Sequence, residues 1–263
     1  MDLGLRGRVA IVAASSKGLG KAVASALAGE GVHLALCARG SEALETTARD
    51  LESRHGVQVL RRALDVTNAD AVSSFVKETA ERYGRVDICV TNAGGPPAKG
   101  FLSITPDEWR AAVDLNLMST LYFAREVIPH MQRRKWGRLI TITSVTVKQP
   151  LDGLVLSNAV RAAVAGLVKS LANEFGKDNI LVNNVCPGFT LTDRLDELSA
   201  VIATAEGISR DEVQARWTRT IPLGRLGRPE EFGAFVALLC SEQASYVSGT
   251  STAVDGGFAR GLL

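Results

Sequence analysis

Residues 8–20 read Arg-Val-Ala-Ile-Val-Ala-Ala-Ser-Ser-Lys-Gly-Leu-Gly, and residues 21–31 continue as KAVASALAGEG. The first half is a short apolar run with β-branched residues and reads as a strand, whereas the continuation reads as a helix. Between them stands Ala14-Ser15-Ser16-Lys17-Gly18-Leu19-Gly20. A glycine turn in that position aims backbone N–H groups and the positive end of a helix at one point, an arrangement that receives a pyrophosphate. An ordinary strand-to-helix turn uses similar residues, so the surroundings must decide.

The same alternation runs outward from that stretch. HLALCAR (33–39), VQVLRRALDVT (57–67), DICVTNAG (87–94), RLITITS (138–144), ILVNNVCPG (180–188) and STAVDGG (251–257) are further strand-like runs, with helical stretches between most of them. Strands that are apolar on both faces predict a seven-stranded parallel sheet covered by helices on each side. Right-handed crossovers then give a doubly wound α/β fold of the Rossmann type. No linker or internal repeat breaks the rhythm, so residues 1–263 are expected to form a single domain. The charged segment at about 191–227 holds two helix-like pieces and reads as an excursion over the site, a substrate lid.

Composition narrows the function classes. The chain is 46% hydrophobic and 22% charged with 25 glycines, which suits an ordinary globular protein. A formal net charge of +2 offers no concentrated basic face for nucleic acid or membrane. Cys37, Cys89, Cys186 and Cys240 lie far apart in apolar runs and read as buried free thiols. With His33, His55 and His130 equally scattered, no metal site is expected. There is no signal-peptide layout and no run that reads as long enough to cross a membrane, so a cytoplasmic setting is expected.

At the end of the second strand, where an NAD-binding protein offers an acid to the ribose, the chain has Ala38-Arg39-Gly40. Arg39 and Lys17 can instead pair with a ribose 2′-phosphate, so NADP(H) is expected over NAD(H).

Taken together, the SSKGLG turn, Leu64-Asp65-Val66, Thr91-Asn92-Ala93-Gly94, Asn116 in DLNLMS, Ser144 in TITSV, Pro187-Gly188 and the stretch PLGRLGRPEEFGAFVALLCSEQASYVSGTSTAVDGG resemble the short-chain dehydrogenase/reductase family, especially its 3-oxoacyl-[acyl-carrier-protein] reductases. The likeness runs nearly end to end. It implies coenzyme contacts at Ala14, Ser16, Lys17, Gly18, Leu19, Gly20 and Arg39, with Asp65 and Val66 beside the adenine. It further implies that Asn92, Ala93 and Gly94 shape the coenzyme floor and that Pro187, Gly188 and Thr192 lie near the nicotinamide. Ser144 and Asn116 match two positions of the family's catalytic set. Its Tyr-x-x-x-Lys pair is replaced, because the alignment places Ser157 and Arg161 at those positions. An aliphatic hydroxyl is far less acidic than a phenol, and Arg161 remains charged, so Arg161 keeps a binding role while the source of the proton changes.

Lys148, four residues after Ser144, borders the expected pocket and reads as a surface lysine, as a candidate proton donor in place of the tyrosine, or as a contact for an anionic substrate. The run Met131-Gln132-Arg133-Arg134-Lys135-Trp136-Gly137-Arg138 reads either as a solvated helix end or as a docking patch for acyl carrier protein. The resemblance implies a homotetramer, or a homodimer. The leading expectation is an NADP(H)-dependent reductase of a carbonyl or acyl thioester; the alternatives are a catalytically impaired nucleotide-binding sensor or scaffold, or lyase or isomerase chemistry on the same frame.

Overall fold

The computed structural model describes residues 2–262. Seven strands form one sheet: β1 (Val9–Ala13), β2 (His33–Ala38), β3 (Val59–Ala63), β4 (Ile88–Thr91), β5 (Gly137–Ile142), β6 (Ile180–Pro187) and β7 (Ser251–Val254). Every pairing is parallel and the order is β3-β2-β1-β4-β5-β6-β7. The expected strands are therefore all present. The order reverses between β1 and β4, and there the carboxyl ends of a doubly wound sheet open a crevice for ligands.

Helices α1 (Gly18–Gly29), α2 (Ser41–His55) and α9 (Pro229–Cys240) bury Val23, Leu44 and Phe232 on one face of the sheet. Helices α3 (Ala69–Tyr83), α5 (Ser119–Arg134) and α6 (Val155–Phe175) bury Phe75, Phe123 and Val164 on the other. Each such side chain contributes about 1.5–3 kcal/mol by leaving water. Contrary to the sequence reading, one helical stretch, Val155–Asp178, is long and apolar enough to cross a membrane, with a mean hydropathy of 1.3. In this fold one face of it, with Val164 and Val168, packs against the sheet, while Ala162, Ala163 and Gly166 are exposed.

Short α4 (Pro106–Val113) is joined to α5 by a π-helical turn, Asp114–Met118. Between β6 and α9 the chain leaves the sheet and forms α7 (Asp193–Glu206) and α8 (Arg210–Thr220). These have their own small core of Leu195, Ala203, Val213 and Trp217, against which Phe189 stacks with ring centroids 5.0 Å apart. The base of the excursion is pinned by Leu191 N–H to Gly227 O and Gly227 N–H to Phe189 O, each at 2.9 Å. The four cysteines are free and buried.

Candidate active site

The glycine turn after β1 is built by backbone. Ala14 adopts φ +49°, a left-handed conformation that costs a residue with a Cβ about 1–2 kcal/mol, and Gly18 adopts φ +57°. A Cβ at Gly20 would stand 2.3 Å from Ala14 O and 3.0 Å from Asn92 Nδ2, so only glycine lets α1 approach β1 and β4 this closely. Lys17, at the start of α1, offers no side-chain cap, and the first turn carries no acidic residue. The leading N–H groups of the helix thus remain available for an anion, and the cradle fits a dinucleotide diphosphate. Ser15 is buried beneath it, and Thr47 donates to Ser16 O at 3.0 Å, tying α2 to the turn.

The remaining sequence-derived positions gather at the same edge of the sheet. Arg39 follows β2 and is exposed. Its charge is felt by both Lys17 and Asp65. Asp65 accepts from Thr67 N–H at 2.9 Å and Thr67 Oγ1 at 2.8 Å, contacts that hold its carboxyl below the usual range. Val66 is buried in the core beside α3. Asn92, Ala93 and Gly94 follow β4, and Pro187 and Gly188 close β6. Thr192 caps α7, accepting from Leu195 N–H. The next residue, Asp193, pairs with Lys17 at 2.9 Å, so the excursion reaches the glycine turn.

Asn116 lies in the π-helical turn and is 5% exposed. Its Nδ2 donates to Gly94 O at 2.9 Å, but its Oδ1 is buried without a partner. A cavity of about 10 Å³ lies alongside, lined in part by Asn92, Asn116, Thr120, Thr143 and Arg161. That is about the room one water needs, and an orphaned carbonyl oxygen is a fitting partner for it.

Arg161, on α6, is only 7% exposed, and its Nη1 donates to Thr143 O at 2.7 Å and Ile142 O at 3.3 Å. Burial first, and the Arg194 charge second, pull its guanidinium down to about 10 from the usual 12.5. It stays cationic at neutral pH without a carboxylate partner among the described residues. Thr146 N–H donates to Ser144 Oγ at 3.1 Å, which leaves the Ser144 hydroxyl proton to point elsewhere. Ser157 behaves differently. Its hydroxyl is buried and shares a 3.2 Å hydrogen bond with Thr146 Oγ1. Lys148 ends the 3-10 turn Val145–Val147 and is half-buried.

The sequence reading missed Thr146 and Arg194. Nothing marks Thr146 in its run of β-branched residues. Arg194 carried a signal, since a cation in the first turn of a helix opposes the dipole. Nor is the basic run of residues 131–138 simply exposed. Arg138 is fully buried, 4.1 Å over the Trp136 ring and 3.6 Å from Glu242, while Arg134 donates to Gly84 O and Lys135 pairs with Asp178. Arg138 follows Trp136 on the opening residues of β5, so it enters the sheet instead of extending the helix end.

Comparisons with known proteins agree with this geometry. A family model described as enoyl-(acyl carrier protein) reductase matches residues 13–259. A 3-oxoacyl-[acyl-carrier-protein] reductase of Aquifex aeolicus is 32% identical over 98% of this chain and 99% of its own. L-Sorbose reductase from Gluconobacter frateurii, solved with NADPH and L-sorbose, superposes with a TM-score of 0.94 at 34% identity over the whole of both chains. A 7α-hydroxysteroid dehydrogenase complexed with NADH superposes with a TM-score of 0.90 at 29% identity, covering 100% of this chain and 98% of that one. The crevice at the sheet switch, the open helix end after β1 and these end-to-end likenesses together show that the chain belongs to the short-chain dehydrogenase/reductase family of oxidoreductases.

Proposed function

We propose that this protein is an NADP(H)-dependent reductase of carbonyl compounds whose catalytic floor has been rebuilt, with Ser157 and Arg161 standing where the family carries Tyr and Lys. The observation that carries the reading is Arg161 itself, a buried guanidinium beside Asn116 at the edge that also holds the glycine turn. A dinucleotide would be held at its diphosphate by the first turn of α1, at its adenine end by Asp65 and Val66, and at the nicotinamide ribose by Arg161. Lys17 and Arg39, with no acid at the end of β2, favour a 2′-phosphate and hence NADP(H) over NAD(H). When bound, the nicotinamide supplies or accepts hydride.

The protein's own groups divide the rest. Ser144 donates its hydroxyl to the carbonyl oxygen as negative charge develops there. Arg161 adds a fixed positive charge but is a poor proton donor near neutrality. The proton therefore comes through water, with Asn116 Oδ1 and the small cavity holding one such molecule. Because the Ser157 hydroxyl is occupied by Thr146, Ser144 is the principal substrate contact of the floor.

The first carbonyl compounds to test are 3-oxoacyl thioesters, the class named in the Aquifex relative, simple ketones and oxo acids. Acyl carrier protein as donor rests on that likeness; of the basic run that would meet it, Arg138 is buried while Arg133, Arg134 and Lys135 are exposed. A cytoplasmic homotetramer, or a homodimer, completes the reading, with Ala162, Ala163 and Gly166 exposed on α6.

The test is NADPH oxidation against a panel of 3-oxoacyl thioesters, ketones and oxo acids, with coenzyme binding followed by fluorescence. Turnover on any of these supports the proposal; tight coenzyme binding without turnover would favour the sensor or scaffold reading. The double variant Ser157→Tyr/Arg161→Lys is expected to raise turnover.

A further inference from the structure

The mouth of the site collects cations that acids answer only loosely. Arg194 occupies the first turn of α7, where the helix dipole opposes it, yet the side chain is held in place. Its Nη2 donates to Pro96 O at 3.0 Å, and its guanidinium lies over Gly95, where a Cβ would come within 3.1 Å of Nη2. The absence of a side chain at Gly95 is what lets the guanidinium lie against this loop. Arg161, on α6, uses Nη1 for two carbonyls while Nε and Nη2 make no hydrogen bond among the described residues, and it feels the Arg194 charge. Lys148 ends the short turn Val145–Val147 that Ser144 caps, so it is carried on the same loop as that serine.

Few acids answer these charges. Glu197 approaches Arg194 only to 3.6 Å, and its side chain is 60% exposed. Asp193 faces away to Lys17. A neutral ketone would leave this excess unanswered, whereas a carboxylate would meet a planar fork of matching geometry in a confined, positively charged mouth.

We infer that the substrate is a carbonyl compound bearing a carboxylate, an oxo acid, with the carboxylate gripped by Arg194 and supported by Lys148 while its carbonyl lies against Ser144. This rests on the reductase reading proposed above, and it narrows the substrate class away from acyl thioesters. Arg194 is thereby a specificity-determining residue carried by the excursion, and its Gly95–Pro96 contact sets the position of the fork.

Pyruvate, acetoacetate and levulinate are to be compared with their methyl esters on the purified protein, by NADPH oxidation and by calorimetric binding in the presence of NADP⁺. At least one acid is expected to exceed its ester tenfold in kcat/KM or in affinity. Arg194→Gln should reduce that preference below threefold, Lys148→Gln should reduce it less, and Arg194→Lys should keep most of it. The NADPH dissociation constant should stay within twofold throughout. The inference is overturned if no acid is preferred over its ester. It is equally overturned if Arg194→Gln weakens NADPH as much as it weakens the acid, because Arg194 would then serve the coenzyme diphosphate. Arg194-dependent acid binding without NADPH oxidation would sink the reductase reading and leave the anion site standing.

Discussion

The two halves of the sheet's carboxyl edge are built from different materials. Around β1, the glycine turn is a backbone device: Gly20 packs directly on Ala14 O, and the helix end is left open by main-chain geometry. Around β5 and α6, the floor is made of side chains: a buried guanidinium, an orphaned amide oxygen and hydroxyls linked by Thr146. In the first region a change of shape removes fold and binding together. In the second, fold and binding can be separated, since the groups that prepare the site are not those that pack the core.

The largest effect that would sharpen this contrast is at Gly20. Gly20→Ala forces a Cβ to 2.3 Å from a main-chain oxygen that cannot step aside, and the loss of stability is expected to be about 3 kcal/mol or more, read by urea denaturation. Coenzyme affinity should fall with it. A fully stable Gly20→Ala would show that the turn is more pliant than its packing indicates.

Arg161→Met is the counterpart. With its folded-state value depressed to about 10, the guanidinium burdens the folded state by roughly 3 kcal/mol at all pH values below that, and the burden lifts only as pH rises from about 10 toward the unfolded value. Methionine removes the burden but leaves Thr143 O and Ile142 O without their donor, so stability at pH 8 should stay within about 2 kcal/mol of wild type. A collapse in stability would place Arg161 with the glycine turn as a structural element.

Smaller effects follow within the side-chain floor. Ser157→Ala strands the Thr146 hydroxyl and is expected to cost about 1 kcal/mol, with turnover reduced less than threefold. A large loss of turnover with normal stability would show that Ser157 turns toward the substrate. Asp193→Asn should be the mildest. It breaks an ion pair whose side chains are both 64% exposed, so the melting temperature should barely move. By freeing Lys17 it should strengthen NADPH binding modestly, while NADH binding stays as it was.

The same division decides what was legible in the chain. The seven strands and the glycine turn could be read because each depends on local periodicity and on residues adjacent in sequence. Asn116, Ser144 and Arg161 were found by alignment to a family pattern, and the structure brings Asn116 and Arg161 to one cavity. What stayed hidden depends on partners distant in sequence. Arg138 looked like one more cation in a basic run, but its charge is buried against Trp136 and approaches Glu242, more than 100 residues away. The bond of the Ser157 hydroxyl to Thr146 was equally illegible, because the two residues sit in different elements. Helix α6 was not flagged as a possible membrane span, since its alanines and glycine interrupt the apolar run by eye without lowering its mean hydropathy below that of a crossing helix.

The most direct test is a fluorescence titration of NADPH into wild-type protein and Arg161→Met, each checked for its melting temperature. The expected result is saturable binding to wild type and at least tenfold weaker binding to a variant that remains folded. Absence of binding to the wild type, or an equal dissociation constant in the two proteins, would contradict a coenzyme site built on that buried cation.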